Sequence, residues 1–116
     1  MASAEWNLKE SAKGGRVEEV LSLLEDNSGL DVNWKEAAHE STALHWASRW
    51  GHAEVVKVLL AHPAISVNVK NNFGETPFIF GCENGHVSVV QLLLKDPRVD
   101  VTLADSKGRT PLWWAS

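Results

Sequence analysis

The chain has 116 residues, 44% of them hydrophobic and 22% charged, with a formal net charge of −4 and a pI near 5.7. That length suits one domain with a single core, and the composition argues against a disordered or coiled-coil chain. The acidic balance lacks the footprint of a nucleic-acid binder, and no apolar run approaches the ~18 residues that span a bilayer. The opening "MASAEWNLKE" has no basic and then apolar leader, and the single Cys82 cannot form an internal disulfide. An intracellular protein is therefore expected, cytoplasmic with the nucleus also open, binding neither nucleic acid nor membrane.

In chain order, "WNLKESAKGGRVEEVLSLLEDNSGLDVN" reads as two helices broken at Gly14-Gly15. Next, "TALHWASRWGHAEVVKVLLAHPAISVN" lies over "TPFIFGCENGHVSVVQLLLKDPRVDVT", and "TPLWWAS" begins a further copy. Thr42, Thr76 and Thr110 stand at equal steps of 34 residues, and such a period means a solenoid of stacked units. The first segment is a diverged copy, with Gly15 under Gly51 and Gly85, and Leu23-Leu24 under Leu59-Leu60 and Leu93-Leu94. Its step of 36 places about two extra residues in "EDNSGLDVNWKEAAHES". Approximate unit boundaries are 3-33, 34-68 and 69-102, with a partial unit at 103-116.

Within a unit, Thr76 followed by Pro77 signals an N-cap and first helical position, and the helix "PFIFGCEN" stops at Gly85. A second helix follows in "HVSVVQLLLK". Its apolar stripe is expected at Val87, Val90, Leu93 and Leu94, with Ser88, Gln91 and Lys95 outward. "PRVDVTLADSKGRT" then supplies a proline stop, a short β-like stretch and a turn from Asp105 to Gly108. Each unit is thus helix, turn, helix and protruding hairpin.

The stretches "DSKGRTPLWWA", "NNFGETPF" and "TALHWASRWGHAEVVKVLL" resemble the ankyrin repeat family, whose units carry a G-x-T-P-L-H-x-A block and a later G-H-x-x-V-V-x-x-L-L block. The resemblance covers roughly residues 5 to 116. It implies an all-α solenoid of antiparallel helix pairs bearing β-hairpin fingers, and a protein-interaction role without catalysis. Departures are Ala43 for the usual proline, Ile79 and Trp113 where His45 stands, and Glu40 at the turn position of Gly74 and Gly108.

The residues dense in "TALHWASRWGH" sort accordingly. The resemblance gives Thr42 and His45 shared hydrogen bonds at a helix start, while His52 and His86 follow turn glycines, where an imidazole can bond nearby carbonyls. No paired ligand spacing indicates a metal, and no cofactor is implied. Cys82, in a slot held by Ser48 and Ser116, reads as a small buried residue rather than a nucleophile. Trp46, Phe80 and Trp114 form an aromatic ladder for which core packing is preferred over a groove-facing role. Trp50 differs: its equivalents are Gly14 and Asn84, and beside Arg49 it has the composition of a binding anchor.

The resemblance places partner contacts at the fingertips Ala38, His39 and Ser41, then Asn72, Phe73 and Glu75, then Ser106, Lys107 and Arg109. The helix ends Arg49, Trp50, Glu83 and Asn84 complete that surface, and the partner is a protein or peptide. Alternatives are a scaffold segment of a longer signalling or enzymatic chain, suggested by the unfinished fourth unit, and a substrate of an asparaginyl hydroxylase at Asn33 or Asn68. Leu112 and Trp113 would leave an uncovered apolar end, for which three alternatives stand open: fraying, self-association by packing against another chain, or continuation by further repeats.

Overall fold

The computed structural model describes residues 3–110. Among them are six helices: α1 (Ala4–Lys13), α2 (Val17–Asp26), α3 (Ala43–Arg49), α4 (Ala53–Leu60), α5 (Pro77–Glu83) and α6 (Val87–Lys95). They pair as helix-turn-helix units. The first helices α1, α3 and α5 pack side by side in one layer, and α2, α4 and α6 form the second. The result is an all-α repeat solenoid.

The first helices start at side-chain caps, because their opening amides point at no carbonyl of their own helix. Ser3 Oγ accepts from the Trp6 N–H, and Thr76 Oγ1 from the Ile79 N–H. Thr42 forms a reciprocal pair: its Oγ1 accepts from the His45 N–H, and His45 Nδ1 accepts from the Thr42 N–H. The second helices have no side-chain cap. Each follows instead a glycine at positive φ, Gly15, Gly51 or Gly85, that reverses the chain. His52 Nε2 then donates to the carbonyl of Lys13 at 3.0 Å, and His86 Nε2 to that of Arg49 at 2.8 Å. The expected imidazole–carbonyl bonds are present, and because their acceptors lie in the preceding unit they also stitch each unit to the one before.

Leu44, Leu59, Val55, Val56, Val89 and Leu93 are wholly buried between the layers. Burial of each such side chain is worth roughly 1.5–3 kcal/mol. The stripe on α6 differs from expectation: Val89 and Leu93 form its buried edge, whereas Val87 and Leu94 are exposed. Six of the eight positions from 87 to 94 are apolar, so more than one i, i+3 or i, i+4 set fits the sequence. Packing of α6 against both α4 and α5 selects the one through Val89.

The fingers close as tight turns, and the described residues contain no strand. Asn71 N–H bonds the Glu75 carbonyl, and Asp105 N–H the Arg109 carbonyl, each spanning four residues. Asn71 Oδ1 and Asp105 Oδ1 accept the amides inside the turns. In the finger before α3 the closure runs from Glu36 N–H to the Ser41 carbonyl, one residue longer. A side chain one methylene longer spans it: the Glu36 carboxylate accepts from Ala38, His39 and Ser41 N–H groups. Glu40, in the glycine position, has φ of 56°.

Candidate protein-binding groove

Successive fingers are bonded edge to edge. Asn72 N–H donates to the His39 carbonyl and Ser106 N–H to the Phe73 carbonyl, with Ser106 Oγ adding a 2.7 Å bond to the latter. This row exposes Ala38, His39, Asn72, Phe73, Ser106 and Lys107. Across from it, Arg49, Trp50, Glu83 and Asn84 at the ends of α3 and α5 are also exposed, and Trp50 is 50% accessible.

Two residues expected on the fingertips are turned inward. Ser41 is 2% accessible and Glu75 9%. Both lie at the base of a finger, where the closing bond holds their backbone against the helix layer, and Ser41 Oγ accepts from Asn71 Nδ2. Arg109, at the same place in the third finger, is half-buried and bridges to Asp105 Oδ2 at 2.8 Å.

Between the two rows lies a recess of about 220 Å³. Its floor is aromatic: Phe80 is buried and Trp46 half-buried, and both line the cavity. Trp50 and Phe73 form its exposed rim. Core and groove were opposed readings of the ladder: Phe80 is buried against the His45 ring and also lines the recess, whereas half-buried Trp46 lines the recess. Trp114, the ladder's third rung, lies outside the described residues, as do Leu112 and Trp113.

Cations cover these rings. Lys13 Nζ sits 5.0 Å from the Trp46 centroid, and the Arg49 guanidinium 5.6 Å from Phe80 and 5.8 Å from Trp50. His39 meets Trp46 edge-on at 5.8 Å. Lys13 was not among the expected contacts, although it aligns with Arg49 once Gly15 is set under Gly51. Burial raises the Glu83 carboxyl above the ordinary carboxylate range, with the neighbouring Glu75 adding to this and Arg109 and Arg49 opposing it.

His45 joins the middle finger to this floor. Its Nε2 bonds the Glu75 carbonyl at 2.7 Å and its ring stands edge-on to Phe80. The Thr42 N–H can only donate, so Nδ1 must be the acceptor and Nε2 must carry the hydrogen. Burial of the ring pushes the pKa of His45 down to about 4. Cys82 is half-buried, and burial raises its thiol, which keeps it protonated. Among the described residues no group of His, Cys, Asp and Glu gathers in a way that could hold a metal, and no helix is long and apolar enough to cross a membrane. Asn33 and Asn68 are bonded at both ends of their side chains, Asn33 to Ala64 and Ser66, Asn68 to Arg98 and Asp100.

Stacked helix pairs with bonded fingers define a helical-repeat array. The family profile "Ankyrin repeats (many copies)" matches residues 8–60 and 44–94, and the chain belongs to the ankyrin repeat family. It is 41% identical over 54 residues to the mouse ankyrin repeat and LEM domain-containing protein 2, covering 47% of this chain and 6% of that protein. To human ankyrin repeat domain-containing protein 40 it is 39% identical over 70 residues, 60% of this chain and 18% of the relative. A rice probable E3 ubiquitin-protein ligase, XBOS32, is 34% identical over 76 residues, 66% of this chain and 15% of that protein. The chain thus spans less than a fifth of the length of each of these relatives. Ankyrin repeats generally mediate protein–protein interaction, and that is the class of activity the family assigns.

Proposed function

We propose that this array binds a partner protein by receiving a segment of it along the groove between the fingers and the ends of α3 and α5. The observation that carries the reading is the pair of exposed aromatics, Trp50 and Phe73, on the rim of a recess floored by Trp46 and Phe80. Large apolar side chains kept in water beside a concavity are what interface hot spots are made of. A 220 Å³ recess is below the roughly 300 Å³ at which small-molecule sites begin, so it suits one partner side chain rather than a metabolite. The role is that of an adaptor without catalysis, and the small share of each relative that it matches supports reading it as an interaction segment of larger proteins.

Affinity capture with quantitative mass spectrometry, using the chain as bait, tests this. Trp50→Ala and Phe73→Ala should each weaken capture of the specific partner by ~2 kcal/mol or more, with under ~1 kcal/mol of stability lost. Lys57→Ala, on the exposed side of α4, should capture the same partner undiminished. Equal capture by all three variants would reject the groove.

A further inference from the structure

The cations of the recess carry its chemistry further, on the footing that the groove is where a partner docks. Lys13 and Arg49 stand at the same position of successive units, and both are exposed. Among the described residues no carboxylate lies within ion-pair distance of either; their contacts are the faces of Trp46, Phe80 and Trp50. His39 lies on the same side, its Nδ1 3.2 Å from Glu36 Oε1. The opposing charges are Glu75, buried at the finger base and bonded to Asn71, and Glu83 beyond it on α5, which senses Arg49 and Arg109.

A ring face attracts a cation through its quadrupole, but here Lys13 and Arg49 already cover the faces. An incoming lysine or arginine would meet like charge; an incoming carboxylate would meet an ammonium and a guanidinium held over aromatic rings, neither within ion-pair distance of a carboxylate among the described residues. Between them the recess offers an aromatic floor for one apolar side chain. We infer that the partner segment is an extended acidic peptide, with an aromatic or large aliphatic anchor in the Trp46–Phe80 recess and a carboxylate beside that anchor paired with Lys13 and Arg49. The attraction is local, since the chain as a whole carries −4. Such complementarity selects among partners more than it adds affinity.

The test titrates the ¹⁵N-labelled chain with blocked pentapeptides and follows the indole N–H signals of Trp46 and Trp50. The probes are a phenylalanine flanked by glutamates, the same flanked by lysines, the same flanked by prolines, and glycine flanked by glutamates. The first should shift both signals at least tenfold more tightly than any other. Lys13→Glu with Arg49→Glu should reverse the order of the glutamate and lysine peptides, and the paired glutamine variants should erase the difference while keeping the parent's melting curve. Equal or tighter binding of the lysine or proline peptide, or no response to the acidic peptide at millimolar concentration, overturns the inference. If the acidic peptide fails while Trp50→Ala and Phe73→Ala still abolish partner capture, the groove stands and its acidic preference falls. If both fail, the groove itself is rejected.

Discussion

Acidification from pH 7 to pH 5 should cost this array about 2 kcal/mol of stability through one residue, His45. In the unfolded chain its imidazole protonates near 6.5; in the fold burial lowers that value to about 4. Between the two, the unfolded state takes up a proton that the native state refuses, so stability falls as pH falls through this window. The full effect, reached only below pH 4, is about 3.4 kcal/mol, at 1.36 kcal/mol per pH unit. The cause is local: a proton on Nδ1 would point at the Thr42 N–H, turning an acceptor into a donor facing a donor. The same event would weaken the capping pair at the start of α3. Glu83 acts in the opposite sense. Its raised carboxyl contributes stability that is present at low pH and is lost as pH rises above the ordinary carboxylate range, so it offsets part of the loss. Asp96, held low by its hydrogen bond from Arg98, contributes stability that disappears only as pH falls below that range. Urea unfolding at pH 7 and pH 5 gives the measurement, and the parent's midpoint should fall by about 1 M at typical urea slopes. His45→Gln should be less stable than the parent at pH 7 and nearly flat between the two pH values, and Glu83→Gln should steepen the parent's dependence. An unchanged slope in His45→Gln would refute the assignment.

Three further outcomes follow from the same geometry. Gly51→Ala should cost more than Gly85→Ala by ~1 kcal/mol or more, because both incur the ~1–2 kcal/mol of left-handed backbone but only the former displaces an imidazole bonded to the Arg49 carbonyl. A Cβ on Gly51 would lie 2.6 Å from His86 Nδ1, while one on Gly85 meets nothing within 4 Å among the described residues; equal thermal shifts would discount the inter-unit bond. Glu40→Gly should stabilise by ~0.5–1 kcal/mol, the strain at φ 56° being relieved against glycine's extra unfolded freedom, and a lower melting temperature would contradict this. Ser48→Ala should stabilise by about 1 kcal/mol, since the hydroxyl is fully buried and has no hydrogen-bond partner among the described residues; a destabilised variant in a urea titration would show that the hydroxyl is satisfied.

The repeat, its helix-turn-helix content and the places where helices begin and end were legible in the sequence because they rest on local chemistry. A threonine before a helix offers an oxygen to orphan amides whatever packs nearby, and a glycine at Gly15, Gly51 or Gly85 admits positive φ without consulting the rest of the fold. Recurrence every 34 residues then forces equivalent units to stack. The polar positions of α6 and the burial of Leu93 were legible, but with six apolar residues among positions 87 to 94 the choice of Val89 over Val87 and Leu94 was not, and only simultaneous contact with α4 and α5 makes it. Nor could sequence spacing separate Phe73 from Glu75 on one finger: the turn sends one side chain into water and folds the other back beneath it. The recess belongs wholly to tertiary structure. Lys13 comes from the first unit, Trp46 and Arg49 from the second, and Phe73 and Phe80 from the third, and they meet only because stacking brings residues distant in the chain to one surface.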